Sequence, residues 1–372
     1  MAIVPEPRSS AASRSRKPAR SSTGAASGGA ARSALIISGG APNATLVAGA
    51  LAAFHEHGLS FDVISTAGAG ALLGLMYCAP KNGDPVRTLA GLREMGVADP
   101  LYDRFPVNFK VFNKPGVMAD LYRRALGLNP FIQKLMDWPA HDPLSQLVKD
   151  STALMFASAC PSDLAASSLG LCAHVPFAED VIDFSAIAQM KPEFYVNAFD
   201  LRRREMRNFT KEELGVEHLQ AALSFPLLYP PSEIGGENGG LFIEGAAIDS
   251  LNFKGLLERA PALEEIVIFD ILGADRLLRA PRDLYDAWVM SILTPLIEIA
   301  RDDLKIFEAE HLAKYPKLHR PHRVPLVESI PEENLPRVFD WSRSNLAYLY
   351  DVGYEAGARA ARGELAHLAI KP

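Results

Sequence analysis

The sequence predicts an α/β fold in which helices cover a mainly parallel sheet. An apolar run at residues 34–38 enters the glycine turn Gly39-Gly40, and a helical pattern follows as far as Gly58. A second apolar run at residues 61–64 enters a set of very small residues and then an apolar helical run at residues 72–77. Two successive β–α units of this kind are typical of parallel strands joined by crossover helices.

Later stretches of the chain extend this prediction. Apolar runs predict further strands at residues 152–158, 194–199, 206–209, 241–246 and 265–272. Helical spacing predicts helices at residues 216–223 and 341–362. The chain after residue 281 is expected to be helical, apart from a polar loop at residues 317–325.

Composition sets the expected domain organisation. The chain has 372 residues, 48% of them hydrophobic, and can bury a full core in one large domain or two small ones. Residues 1–33 form a basic tail of Ser, Ala, Gly and Arg with a single acid, Glu6, and this composition predicts disorder. A solvated extension is the favoured interpretation of the tail, and contact with a membrane or a protein partner stays open. Residues 34–372 are expected to form the folded domain.

Residues 80–150 differ from the rest of this predicted domain. They combine eight prolines with large apolar side chains, among them Phe105, Phe112, Phe131 and Trp138, and are predicted to be mixed helix and loop. Two interpretations stay open: a cap-like insertion that shapes an apolar pocket over the sheet, and ordinary core packing of a helical insertion.

Charge and cysteine content exclude several classes of function. A formal net charge of −6 argues against nucleic-acid binding, which favours a basic balance. The three cysteines show no metal-binding or disulfide spacing, and no apolar run approaches the roughly 20 residues that span a bilayer. The histidine pairs at 55/57 and 319/322 lack the spacing or the neighbouring acids of a metal site. We therefore expect a cytoplasmic protein without metal or cofactor.

The small residues at 65–71 are the most informative stretch of the sequence. A strand that turns sharply into a helix through small residues is typical of the nucleophile elbow, Gly-x-Ser-x-Gly, of α/β-hydrolase-type enzymes. Here the turn reads Thr66-Ala67-Gly68-Ala69-Gly70. The surroundings of an elbow are present, but no serine stands at its apex.

Three segments, in the same order, resemble the patatin-like acyl hydrolases. Leu-Ile-Ile-Ser-Gly-Gly-Ala-Pro-Asn-Ala at residues 35–44 is similar to the family's strand and Gly-Gly-Gly-x-Arg-Gly oxyanion loop. Asp-Val-Ile-Ser-Thr-Ala-Gly-Ala-Gly-Ala-Leu at residues 62–72 resembles the family's Asp-Val-Ile-Ser-Gly-Thr-Ser-Ala-Gly-Ala-Leu, and residues 222–246 resemble the loop that leads to its Asp-Gly-Gly/Ala motif. The resemblance spans about residues 34–362. It implies a three-layer α/β/α sandwich that uses a Ser–Asp dyad and a glycine-rich oxyanion loop.

The resemblance assigns family roles to particular residues. The oxyanion loop falls on Gly39, Gly40 and Ala41, the nucleophile on Gly68 and the dyad acid on Glu244. Glycine supplies no oxygen for nucleophilic attack. Glutamate carries its carboxylate one bond further out than the family's aspartate, and a misplacement near 1 Å can cost about 10²-fold in rate. These two changes argue against ordinary catalysis by the family's mechanism.

Further departures and one alternative register concern the same loops. Asn43 and Ala44 stand where the family has Arg and Gly, and Thr66 replaces the first glycine of the elbow. Sliding the alignment by one or two residues would put Ala67 or Thr66 at the apex. The flanking residues on both sides favour Gly68.

Three functions follow as hypotheses. The first is a pseudoenzyme that binds a lipid or acyl-containing small molecule, or has a regulatory role, with a loop of Gly39, Gly40 and Asn43 still able to hold a carbonyl, carboxylate or phosphate. The second is an active esterase, phospholipase-like hydrolase or acyl transferase that uses Thr66 or Ser65 as nucleophile, or a water activated by Glu244. The third is a partner-binding module built on the C-terminal helix and the basic tail.

Overall fold

The computed structural model of the chain describes residues 32–40, 44–136, 138–140, 142–174, 177–236, 239–270 and 274–370. The tail predicted at residues 1–33 falls outside these ranges except for Arg32 and Ser33, and Ser33 already belongs to the first strand. Ala41 and Asn43 of the predicted oxyanion loop also fall outside them. Within the described ranges, no helix has both the length and the apolar composition needed to cross a membrane.

The described residues form one sheet with a parallel centre. Its strands are β1 (Ser33–Ile37), β2 (Val63–Ala67), β3 (Glu193–Asp200), β4 (Glu205–Thr210), β5 (Ser232–Ile234), β6 (Gly240–Glu244), β7 (Glu265–Asp270) and β8 (His322–Pro325). They run in the order β5-β6-β3-β2-β1-β7-β8, and β4 pairs with β3 in addition. The five strands from β3 to β8 in this order are parallel, whereas β4, β5 and β6 pair antiparallel. The predicted mainly parallel central sheet is confirmed.

Helices lie on both faces of this sheet. The α-helices are α1 (Ala44–Glu56), α2 (Ala69–Cys78), α3 (Pro85–Ala90), α4 (Asp99–Tyr102), α5 (Val117–Leu128), α6 (Pro130–Met136), α7 (Pro143–Ala159), α8 (Ala178–Val181), α9 (Val216–Ala222), α10 (Phe253–Arg259), α11 (Leu284–Ile306), α12 (Leu312–Lys314) and α13 (Arg343–Arg362). Side chains of β1 alternate between two cores. Leu35 and Ile37 share one core with α1, α2 and α13, and Ala34 and Ile36 share the other with α10 and Phe307. The fold is the predicted three-layer α/β/α arrangement.

Helices α1 and α13 pack closely because each has a glycine at the contact. A Cβ atom at Gly49 would lie 2.6 Å from the backbone nitrogen of Tyr354, and one at Gly353 would lie 2.6 Å from the carbonyl carbon of Leu46. Protein interiors are too densely packed to absorb such overlaps, so a larger residue at either position would separate the helices. The C-terminal helix thereby holds α1 in place against the sheet.

Two predictions from the sequence are wrong, and the first concerns residues 152–158. These residues, predicted to be a strand, belong to α7. Asp142 caps this helix by accepting hydrogen bonds from the backbone nitrogens of Leu144 and Ser145, and Pro143 suits its first turn. The apolar residues at 152–158 lie on exposed as well as on partly buried sides of the helix. They therefore form a continuous apolar run, as in a buried strand, and do not show helical spacing.

The second error concerns residues 317–325, which were predicted to be a polar loop but contain β8. This strand pairs in parallel with β7, with His322 opposite Val267 and Pro325 opposite Asp270. Among the strands that the structure describes, it lies at the edge of the sheet and pairs with β7 alone. An edge strand tolerates proline and charged residues, and for this reason its sequence lacks the apolar signal of a central strand.

Helix α7 is polar on its buried side and apolar on its exposed side. Gln146 and Asp150 are buried, whereas Leu144, Val148 and Met155 are 70%, 57% and 60% exposed. The exposed residues are spaced by four and seven positions and so share one face of the helix. This polarity is the reverse of that expected for a helix packed on a protein core.

The buried side of α7 is held by a polar network. Asp150 forms an ion pair with Lys110, with 3.0 Å between Oδ1 and Nζ, and its other oxygen accepts a hydrogen bond from the backbone nitrogen of Ala98 at 2.8 Å. Gln146 donates to Asp150 at 2.8 Å and accepts from the guanidinium of Arg343 at 2.7 Å. These bonds join α7 to the loop before α4 and to α13.

Candidate functional site

Gly68 lies at the apex of the turn between β2 and α2. Strand β2 ends at Ala67, α2 begins at Ala69, and Gly68 between them has φ +54° and ψ −135°. This positive φ favours glycine, and other residues adopt such strained conformations mainly at functional turns. The helix begins at once, because the nitrogen of Ala71 donates to the carbonyl of Gly68 at 3.0 Å. The backbone therefore has the sharp strand-to-helix turn of an elbow, with Gly68 at its apex.

The sheet brings Glu244 to the same place. Strand β4 occupies one edge of β3 along Tyr195–Asp200. Strand β6 also pairs with β3 within this stretch, so it must use the opposite edge, which is the edge that β2 occupies earlier in β3. There β2 ends with Ala67 opposite Asn197, and β6 ends with Glu244 opposite Ala198. The carboxyl end of β2 and the end of β6 thus meet at adjacent residues of β3.

The carboxyl group of Glu244 fits between two glycines. A Cβ atom at Gly68 would lie 2.8 Å from Cδ of Glu244 and closer still to Oε1, and one at Gly39 would lie 2.9 Å from Oε1. A hypothetical Cβ at Gly68 would also lie 3.0 Å from Cα of Gly39. Both glycines are therefore needed to accommodate the glutamate. Its carboxyl occupies the space that a serine side chain at position 68 would fill.

Burial keeps this carboxyl protonated at neutral pH. Glu244 is 9% exposed, and burial alone raises its pKa to about 8. Among the described residues, none donates a hydrogen bond to the carboxyl or pairs with it as a cation. At pH 7 Glu244 is mostly a neutral acid with one O–H donor and one free acceptor.

The structure brings only some of the predicted site residues together. Gly39, Gly68 and Glu244 are in contact, and Gly40 lines a pocket next to them. Thr66, the alternative nucleophile, is fully buried within β2, and its hydroxyl donates to the carbonyl of Tyr195 at 2.9 Å. Ser65 is 1% exposed in the same strand. Neither hydroxyl lines the pocket.

A cavity of about 620 Å³ opens beside Glu244. This volume lies within the range of about 300–1,000 Å³ that is usual for small-molecule sites. Its walls come from α1, α2, α9 and α11 and from residues 107–112, and they are mainly apolar, with Leu73, Phe112, Leu219, Trp288 and Leu293 as examples. Residues 107–112 belong to the segment 80–150, for which the sequence left both a cap-like insertion and ordinary core packing open. The chemistry of these walls suits a hydrocarbon chain.

Sequence reasoning missed a group of polar residues at this pocket. His174 stacks on Tyr229 with 4.8 Å between ring centroids, and its Nε2 lies 3.1 Å from the hydroxyl of Ser224. Burial, helped by the neighbouring Cys172 and Glu244, raises the pKa of Tyr229. Burial also lowers the pKa of His174. A hydrogen bond to the backbone of Pro230 acts in the opposite direction, but its effect on the pKa is smaller. The sequence signals only the segment that contains Tyr229, whereas His174 lies in a loop without a recognisable pattern.

Comparisons with known proteins identify the family of this chain. The family model of patatin-like phospholipases matches residues 35–257. A search of curated proteins found no significant match. Among solved structures, VipD from Legionella pneumophila is similar with 11% identity and a TM-score of 0.37, and the match covers 88% of this chain and 66% of that chain.

A second similar structure is the heterodimeric ExoU–SpcU complex from the type III secretion system of Pseudomonas aeruginosa. It shows 15% identity and a TM-score of 0.32, and the match covers 90% of this chain and 52% of that chain. The chain thus spans somewhat less than two thirds of one of these structures and about half of the other. The family match includes the turn at Gly39, the elbow at Gly68 and the acid at Glu244. Because it also covers more than half of the chain, this protein belongs to the patatin-like phospholipase family.

Proposed function

We propose that this protein binds a long-chain lipid or acyl compound in the 620 Å³ pocket without hydrolysing it by a serine mechanism. The observation that carries the proposal is the position of Glu244, whose carboxyl fills the space between Gly39 and Gly68. Family members of this type require an oxygen nucleophile at the elbow, and Gly68 has none. The apolar walls and the adjacent polar group are what a lipid-binding site needs.

The alternative of relocated catalysis has less support. Thr66 and Ser65 are buried in β2 and do not line the pocket. Glu244 has a pKa of about 8, near the value of a useful general base, and this favours a water activated by its carboxylate over a relocated hydroxyl. Such activity would grow as the pH rises above 7 and would disappear in Glu244→Gln.

A binding assay tests the proposal with a matched pair of variants. Displacement of a fluorescent long-chain probe should be saturable in the wild-type protein, and Leu296→Trp should weaken it at least tenfold because Leu296 lines the pocket. Leu284→Trp, on the same helix but 87% exposed, should leave it unchanged. Fluorophosphonate labelling at the elbow, or ester hydrolysis that survives in Glu244→Gln, would overturn the proposal. So would equal probe binding in both tryptophan variants.

We also propose that the exposed face of α7 contacts the surface of a lipid aggregate. Leu144, Val148 and Met155 form an apolar row on this helix. Val107, which lines the pocket, is itself 51% exposed. Lys110, three residues further along the chain, is joined to α7 by its ion pair with Asp150. The exposed cations Arg124 and Lys134 on the neighbouring helices α5 and α6 suit an anionic lipid surface. A lipid docked there would reach the pocket along apolar residues.

A further inference from the structure

The charge of the pocket restricts the ligand that it can hold. Of the described residues that line the cavity, none is lysine or arginine. The carboxylic acids among the described lining residues are Glu244, which is buried, and Glu179, which is exposed. An anionic head group would therefore leave water without meeting a cation, and burying an unpaired charge is costly.

The titratable groups that face the inner part of the pocket are uncharged at neutral pH. Burial raises the pKa of Glu244 to about 8, and burial also raises the pKa of the Cys172 thiol and of the Tyr229 phenol. Burial lowers the pKa of His174 below its usual value of 6.5. None of these four residues offers a formal charge to a ligand at pH 7.

Glu244 is more than nine-tenths buried and lines the cavity, and among the described residues its carboxyl has no hydrogen-bond partner. A buried neutral acid of this kind has an O–H donor to satisfy. A ligand oxygen that accepts this hydrogen bond would remove the cost of leaving the donor unpaired.

We infer that the pocket selects an uncharged lipid, whose carbonyl or hydroxyl oxygen accepts a hydrogen bond from Glu244, and rejects lipids whose anionic head group must enter the cavity. This inference rests on the proposed function, because it names the class of ligand for the same site. A phosphate or a carboxylate is excluded by the absence of a cation among the described lining residues, whereas an ester, a ketone or an alcohol matches the single donor. The family's name alone would lead to a phospholipid as the expected ligand.

Competition among ligands of matched chain length tests the inference. The protein is loaded with an uncharged fluorescent probe at pH about 7, and hexadecanol, 2-octadecanone, palmitate and hexadecyl phosphate are compared below their aggregation limits. The alcohol and the ketone should compete at least tenfold more strongly than the two anions, which corresponds to about 1.4 kcal/mol or more. Anions that compete within threefold of the alcohol would overturn the inference. If no long-chain compound displaces the probe, the proposed function itself fails.

The pH dependence then tests the role of Glu244 and separates the two uncharged ligand types. As the pH rises from about 6.5 to about 9.5, the carboxyl of Glu244 ionises and loses its O–H donor. The ketone can only accept a hydrogen bond, so its affinity for the wild-type protein should be at least fivefold lower at the higher pH. Hexadecanol should lose less, because its own hydroxyl can donate to the carboxylate. Glu244→Gln keeps an N–H donor at every pH and should bind the ketone equally at both. A parallel loss in wild type and Glu244→Gln would overturn the assignment to Glu244.

Discussion

Gly68 and Glu244 are mutually dependent, because the carboxyl of Glu244 lies where any side chain at position 68 would begin. A Cβ atom there would lie 2.8 Å from Cδ of the glutamate. The two positions that the sequence comparison singled out are therefore coupled sterically. A serine at position 68 and a glutamate at 244 do not fit together in this conformation.

The first prediction follows from this overlap. Gly68→Ser should lower the free energy of unfolding by about 2–4 kcal/mol, because it adds both a steric overlap and a strained positive φ. Gly68→Ser combined with Glu244→Asp should recover at least half of that loss, since the shorter acid withdraws from the elbow. Urea denaturation measures both values.

The same pair of variants also tests whether the rest of the catalytic machinery survives. Ester hydrolysis by the double variant, but not by Gly68→Ser, would show that only the dyad had been lost. A single variant as stable as the wild-type protein would contradict the overlap.

The second prediction concerns stability against pH. Glu244 has a pKa of about 8 in the folded protein and 4.5 as its usual value, so the folded state holds a proton that the unfolded chain releases. Stability from this proton is present below pH 4.5 and is lost as the pH rises through 8. The loss should amount to a few kcal/mol, at about 1.4 kcal/mol per unit of pKa.

Comparison with Glu244→Gln isolates this contribution. Asp303, whose pKa is raised to about 7 by burial and by Asp249, contributes a slope of the same sign in both proteins. The difference between the two curves should therefore fall steadily from pH about 5 to 8 and become flat above pH about 9. Denaturation at a series of pH values gives the curves, and parallel curves would be incompatible with a buried, protonated Glu244.

The third prediction concerns the network under α7. Asp150→Ala should destabilise the protein by about 3 kcal/mol, because it leaves Lys110 largely buried without its carboxylate. Asp142→Ala on the same helix removes only an N-cap and should cost about 1 kcal/mol. Adding Lys110→Met to Asp150→Ala should recover part of the loss. Equal losses in the two single variants would contradict a buried ion pair.

The fourth prediction concerns the exposed apolar face of α7. Val148→Glu combined with Met155→Glu should reduce co-sedimentation with anionic phospholipid vesicles at least fivefold, because both side chains are more than half exposed. Stability should change little, since neither residue packs in a core. Leu201→Glu, at the β3–β4 turn, should have no effect on vesicle binding. Unchanged vesicle binding in the double variant would rule out this face as the contact.

The sequence by itself determined the order of the main elements and the location of the elbow. Strands β1 and β2 are fully buried, each contains a short apolar run, and glycines follow soon after both, so local pattern was sufficient to predict them. The absence of an oxygen at Gly68 was equally visible, because it depends on one residue in a recognisable motif. Local pattern failed at α7 and β8, where the exposed side of a helix is apolar and an edge strand is polar.

Only the tertiary structure showed what fills the space beside Gly68. Glu244 reaches the elbow because β6 pairs with β3 where β2 ends, and this register joins residues that are far apart in the chain. The pocket also depends on such distant contacts, since α11 supplies one wall and residues 107–112 another. The protonation of Glu244 follows from burial, which no short stretch of sequence specifies. The motif located the site, and long-range packing determined its chemistry.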